Sequence, residues 1–146
     1  MISIKQLNEK DIDLCYELDS KTISLWSKKQ WVNVLNKKDI KVFGLLLRNL
    51  LIGICVCQLV VDEVQINFFA INKEFRKKGF GSYLMTHLIK QSKKLNKNKI
   101  LLEVSKSNVI AEKFYNHFNF STVGIRSKYY KDGSDALLKE KKIKNK

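Results

Sequence analysis

A chain of 146 residues with 45% hydrophobic and 29% charged residues, no Pro and no internal repeat has the composition of one ordinary globular domain. Its longest apolar run, LLIGICVCQLVV at 50–61, is too short to span a bilayer and its first residues lack the apolar core of a signal peptide, so a cytoplasmic protein without a membrane partner is expected. The net charge of +14 invites nucleic acid, but 25 of the 28 cations are Lys and only Arg48, Arg76 and Arg126 are Arg; base readout leans on bidentate Arg, so sequence-specific nucleic-acid binding is not expected.

An initial strand is expected at 2–7. The spacing of Ile12, Cys15, Tyr16 and Asp19 predicts a helix over 10–23, and Trp31, Val34 and Leu35 predict a second over 27–38 with Ser27 as its N-cap. The segments 41–49, 50–60 and 63–71 are rich in β-branched and aromatic residues and break at RN and VDE, as in an antiparallel meander. After NKEFRKKGFG a helix runs through about Leu95, with Leu84, Leu88 and Leu95 on one face and Met85 and Ile89 beside them. ILLEVS (100–105) reads as a buried strand, and NVIAEKFYNHF (108–118) as a helix whose Ile110, Phe114 and Phe118 are spaced by four. Asn119 suits the left-handed residue that ends such a helix. Strands near 120–128 and 134–140 follow, and a lysine-rich tail over about 139–146 is expected to fray. The order describes one mixed α/β domain over 1–146.

Cys15, Cys55 and Cys57 have no paired His at ligand spacing, so they read as buried free thiols rather than a metal site. FRKKGFG (75–81) is the distinctive motif: three cations lead into two glycines at the start of a helix. It is not a Walker A loop, because Gly81 is followed by Ser82 and Tyr83 instead of Lys-Ser/Thr, and it is not a dinucleotide fingerprint, because position 84 is Leu. What remains is a helix N-terminus with unpaired amides, two residues without a Cβ and added charge, which suits a pyrophosphate. A plain connection with a solvated basic surface is the alternative.

Arg76-x-x-Gly79-x-Gly81 between a strand and a helix resembles the acetyl-coenzyme A loop of the GNAT acetyltransferases. Together with 62–89, LLEVSKSNVIAEKFYNHFNF (101–120) and IRSKYY (125–130), it resembles the ribosomal-protein alanine N-acetyltransferase (RimI-type) branch. The resemblance implies a GNAT fold: a mixed, mostly antiparallel sheet with splayed central strands flanked by about four helices. It implies acetyl-CoA as cosubstrate, no metal, and an acceptor that is the N-terminal alanine of a ribosomal protein. The backbone at Phe69, Ala70 and Ile71 would lie along the pantetheine and thioester, and the loop Arg76, Lys77, Lys78, Gly79, Phe80, Gly81 and Ser82 would hold the pyrophosphate. A monomer or weak dimer is expected.

Glu103 breaks an apolar strand, and by its residue type alone it is either a solvent-facing strand position or a base; the resemblance makes it the general base. Tyr115 is either an aromatic at the edge of the core or, by resemblance, the acid that protonates the leaving thiolate, which a phenol of pKa about 10 can do at neutral pH. Asn108 suits an N-cap and also matches a pantetheine contact. Tyr129 and Tyr130 match a pair flanking the peptide site. LDSKTISLWS (18–27) resembles a substrate-side segment that usually contains Pro-Trp; it keeps Trp26 and lacks the Pro. Residues 1–20 carry a net −3, five acids against Lys5 and Lys10, and Asp19 is the candidate counter-charge for a basic peptide. A small amine or a lysine side chain as acceptor, and a non-catalytic basic module bound to ribosome or RNA, are the rival readings.

Overall fold

The computed structural model describes residues 1–143. Seven strands and four α-helices are found among them: β1 (Ile2–Gln6), α1 (Ile12–Lys21), α2 (Lys28–Asn36), β2 (Ile40–Leu47), β3 (Leu50–Leu59), β4 (Glu63–Ile71), α3 (Phe80–Lys94), β5 (Lys99–Ser105), α4 (Val109–His117), β6 (Ser121–Arg126) and β7 (Ala136–Lys142). The order of elements is the expected one. Strand order is β1-β2-β3-β4-β5-β7-β6. The chain divides into two compact units, residues 1–59 with 67–91 and residues 60–66 with 92–146, so β4 contributes to both.

In the first unit, local chemistry sets the boundaries. Asn8 and Asp11 form a reciprocal capping box over a short 3-10 turn, Glu9–Asp11, which leads into α1 later than expected. Ser27 and Gln30 form another at α2, as expected for Ser27. The β2–β3 hairpin turns on Arg48 and Asn49, both with positive φ (51° and 68°), the conformation that matches strand twist in a two-residue turn. The core gathers Leu7, Cys15, Leu18, Trp31, Val42, Ile54, Val56, Phe68 and Ala70. Leu84, Met85 and Leu88 form the buried face of α3 as expected, whereas Leu95, expected on the same face, lies beyond the helix end at Lys94 and is 38% exposed.

In the second unit, β4 and β5 pair in parallel at Glu63–Lys99, Val64–Ile100 and Gln65–Leu101, a short ladder for strands of nine and seven residues. From Lys99 to Ser105, β5 pairs antiparallel with β7, which pairs antiparallel with β6. β7 extends to Lys142, and Ile143 is buried with its N–H on Asn98 C=O (2.8 Å). The expected fraying is therefore corrected over 139–143: Lys139 and Glu140 pair with both β5 and β6, and Lys141 and Lys142 with β5. Positions 144–146 lie outside the described residues. The expected stripe of α4 is also corrected, because Ile110 is 79% exposed and Tyr115 is the buried residue.

All three cysteines are free and buried. Burial pushes the Cys15 and Cys57 thiols up to about 12 and raises Cys55 well above its ordinary value, so they stay protonated at neutral pH and unreactive.

Candidate active site

The first unit carries the candidate anion loop. Gly53 on β3 makes room for the end of β4, since a Cβ there would lie 2.6 Å from Ile71 Cδ1. Phe68 and Ala70 point into the core while Phe69 and Ile71 are half-buried. Asn72 N–H donates to Ile52 C=O (2.7 Å), and its side chain accepts from Glu74 N–H, opening a 3-10 turn at Lys73–Phe75. Lys77 and Gly79 then take left-handed conformations (φ 62° and 84°) on either side of Lys78. Tyr83 N–H donates to Gly79 C=O (3.1 Å), so the amides of Phe80, Gly81 and Ser82 come before the helical ladder and carry the positive end of the α3 dipole. A Cβ on Gly79 would meet nothing within 4 Å. Glycine is favoured there by its φ, and the open space lets an anion approach the amides.

The loop uses part of its own charge internally. Arg76 Nε donates to Ile71 C=O (3.0 Å), bracing the loop on the strand end. Lys78 Nζ lies 5.9 Å from the centroid of the Phe75 ring, which meets Phe80 edge-on at 6.3 Å. A groove of about 350 Å³ continues along one face of α3, lined by Gly79, Ser82, Tyr83, Thr86, His87 and Lys90.

Asp19 does not present a counter-charge to a ligand; its reading as a direct substrate contact is corrected. It is fully buried, and its carboxylate accepts from Leu25 N–H (2.8 Å), Trp26 N–H (2.9 Å) and Trp31 Nε1–H (2.8 Å). Its own C=O accepts from Thr22 and Ser24 N–H. One residue thus shapes the whole turn from α1 to α2. Trp26 is held in an aromatic cluster, 5.0 Å from Trp31 and stacked on Phe68 at 5.5 Å, while Ile23 and Leu25 project about half exposed.

The second unit carries the candidate base and acid. Asn108 caps α4 through Ala111 N–H (3.1 Å), and Asn119 takes φ 67° beyond its end. Tyr115 is 8% exposed. Its ring packs on Phe114 and Phe120 (5.4 and 5.6 Å), and its C=O accepts from Phe118 and Phe120 N–H. Lys139, 2% exposed on β7, donates to Glu112 Oε2 (3.1 Å) and Asn116 Oδ1 (2.9 Å), fastening the helix that bears Tyr115.

That pair predicts an asymmetry. Lys139→Met fills the same volume and leaves Glu112 able to hydrate, so urea unfolding is expected to show a change within about 1 kcal/mol. Glu112→Ala strands a buried ammonium and is expected to cost about 3 kcal/mol. Equal costs would overturn this account of Lys139.

Glu103 on β5 is one-third exposed, and Arg126 forms an ion pair with it, Nε 2.9 Å from Oε2. The guanidinium of Arg126 also lies 5.5 Å over the Tyr129 ring, and Tyr129 meets Tyr130 edge-on at 5.1 Å. Burial raises the Tyr130 phenol above its ordinary pKa, and the nearby Glu103 and Tyr129 add to it. The loop holding these tyrosines is tied down by Tyr130 N–H to Ser134 C=O (3.2 Å), Ser134 Oγ with Ser105 Oγ (2.8 Å) and Lys128 N–H to Asp135 Oδ1 (2.9 Å). The unit therefore brings Glu103, Tyr129 and Tyr130 together around Arg126, a residue that sequence reasoning did not single out as functional. Its only signal was its place in IRSKYY.

Residues 8–120 match the acetyltransferase (GNAT) family. The chain belongs to the GNAT acetyltransferases. GNAT enzymes take the acetyl group from acetyl-CoA, so the chain is an acetyl-CoA-dependent N-acetyltransferase. Among its GNAT relatives, the [ribosomal protein bS18]-alanine N-acetyltransferase of Haemophilus ducreyi is 30% identical over 90% of this chain and 92% of its own. The protein of the same name from Escherichia coli is 27% identical over 94% of this chain and 95% of its own. The crystal structure of the Escherichia coli ribosomal-protein-S18-alanine N-acetyltransferase superposes with a TM-score of 0.93 at 26% identity, covering 100% of this chain and 96% of that one.

Proposed function

We propose that this GNAT enzyme acetylates the N-terminal alanine of a ribosomal protein, in the cytoplasm. The observation that carries the reading is the similarity, over nine-tenths or more of both chains, to relatives named for that reaction on bS18. In the proposed reaction the backbone at 69–71 runs along the pantetheine, and the amides from Arg76 to Ser82 hold the pyrophosphate. Glu103 accepts a proton from the α-ammonium, directly or through a water. The neutral nitrogen attacks the thioester carbonyl, a C–N bond forms, the C–S bond breaks, Tyr115 gives its proton to the departing thiolate, and the second proton shed by the nitrogen passes through water to restore the phenol. An α-amine of pKa about 7.7–8.0 needs far less help than a lysine at about 10.4, which fits a single carboxylate as base. Asn108 caps α4 and adds a pantetheine contact, while Tyr129 and Tyr130 line the peptide side. Asp19 and Trp26 act by shaping the turn that presents Ile23 and Leu25.

The test is mass spectrometry after incubating the enzyme with acetyl-CoA and a mixture of peptides beginning with Ala, peptides with internal lysines, and polyamines. Acetylation of the Ala α-amine is the expected result. Modification confined to lysines or polyamines would overturn the choice of acceptor.

A further inference from the structure

We propose that Arg126 is the positioning residue for Glu103, holding its carboxylate in place and aimed. The inference rests on the reading of Glu103 as the base and goes beyond it. Arg126 is on β6 and Glu103 on β5, with β7 between them. Glu103 pairs with Leu138 and Leu138 with Gly124, while Ser105 pairs with Ala136 and Ala136 with Arg126. Those side chains share one face. Two inter-strand steps of about 4.8 Å separate the outer strands, a span that the length of an arginine can cover. The path crosses β7 between Ala136 and Leu138. Ala136 contributes only a methyl, and Leu138 leans over Gly124, where a Cβ would come within 2.9 Å of Leu138 Cδ1.

The resulting ion pair is 2.9 Å long between side chains 56% and 33% exposed. A pair that open adds roughly 0–1 kcal/mol to stability, so stability does not account for an arginine reaching across a strand. Chemistry at Glu103 does. The ion pair at Oε2 restrains the carboxylate and leaves Oε1 to receive a proton. The fixed positive charge also disfavours the protonated form of an amine brought to Glu103, and the Tyr129 ring, its centroid 5.5 Å from the guanidinium carbon, limits its movement.

The experiment compares kcat and both KM values for wild type, Arg126→Gln, Arg126→Lys, Glu103→Gln and the double variant Arg126→Gln/Glu103→Gln, following release of coenzyme A thiol. Arg126→Gln is expected to lower kcat about tenfold or more, a part of what a general base contributes, with KM for acetyl-CoA within about twofold and an unchanged circular dichroism spectrum. Lys should restore part of the rate. In the Glu103→Gln background the second change should do nothing further. Wild-type turnover in Arg126→Gln, or losses that multiply in the double variant, would overturn the role of Arg126 while leaving the base in place. Wild-type turnover in Glu103→Gln would remove the base itself, and the proposal with it.

Discussion

Glu103→Gln is expected to lower turnover by about 10² to 10⁴ while acetyl-CoA binds as before. That is the range a positioned general base contributes, and Gln keeps the volume of the side chain, a carbonyl oxygen for Arg126 Nε, and the strand register of Glu103 with Leu138. It only fails to take up a proton. The sign of the pH effect follows. Near pH 7 most of an α-amine of pKa about 7.7–8.0 is protonated and must be deprotonated on the enzyme. At pH 9 most of it arrives neutral. The deficit of the variant should therefore narrow as pH rises. Release of coenzyme A can be read with a chromogenic disulfide, because the three thiols of the protein are buried and protonated. Unchanged turnover, or loss of acetyl-CoA binding measured by calorimetry, would contradict the assignment. Tyr115→Phe is the companion: it should slow turnover without weakening acetyl-CoA, and its deficit should not narrow with pH in the same way, because the leaving thiolate rather than the amine is affected.

The parts of this enzyme that were legible in its sequence are those set by neighbours along the chain. Ser27 with Gln30, the Arg48-Asn49 turn and Asn119 are each decided within four residues, and each is found as read or as turn chemistry requires. The place of the glycine loop was legible for the same reason: a strand end, a left-handed Gly79 and a helix start follow from order alone. The rest depends on residues far apart in sequence that strand pairing brings together. Lys139 looks like one more cation in a basic tail until β7 places it 2.9 Å from Asn116 and removes it from solvent. Arg126 was one of 28 cations, most of them unremarkable by position, and only the row from β5 across β7 to β6 shows where it points. Asp19 was read as a counter-charge for a basic peptide because it lies in an acidic N-terminal segment of a basic chain. What decides its fate is Trp31, twelve residues on, whose indole N–H cannot be buried without an acceptor.

Asp19→Ala is accordingly expected to be the most destabilising single change in the first unit, at about 3–5 kcal/mol. The substitution removes a buried carboxylate from three donors, Leu25 N–H, Trp26 N–H and Trp31 Nε1–H. Hydrogen bonds to a charged group are each worth about 1.5–3 kcal/mol, and each donor left buried without a partner costs about 1–3. Partial rehydration of the turn returns some of this, which sets the lower figure. Against a domain stability of about 5–15 kcal/mol the loss is large, and the urea midpoint, followed by Trp fluorescence, should fall accordingly. A loss below about 1 kcal/mol would mean that the turn is held by its aromatic packing alone. Asp19→Asn separates stability from function. The amide keeps one oxygen, enough for Trp26 and Trp31, but sets an NH₂ against Leu25 N–H, so it should cost less and disturb chiefly the strand of chain carrying Ile23 and Leu25, which are 47% and 48% exposed. If that turn shapes the acceptor site, KM for an Ala-starting peptide should rise severalfold in Asp19→Asn while KM for acetyl-CoA holds. Equal changes in both would show instead that the turn acts only through the stability of the unit.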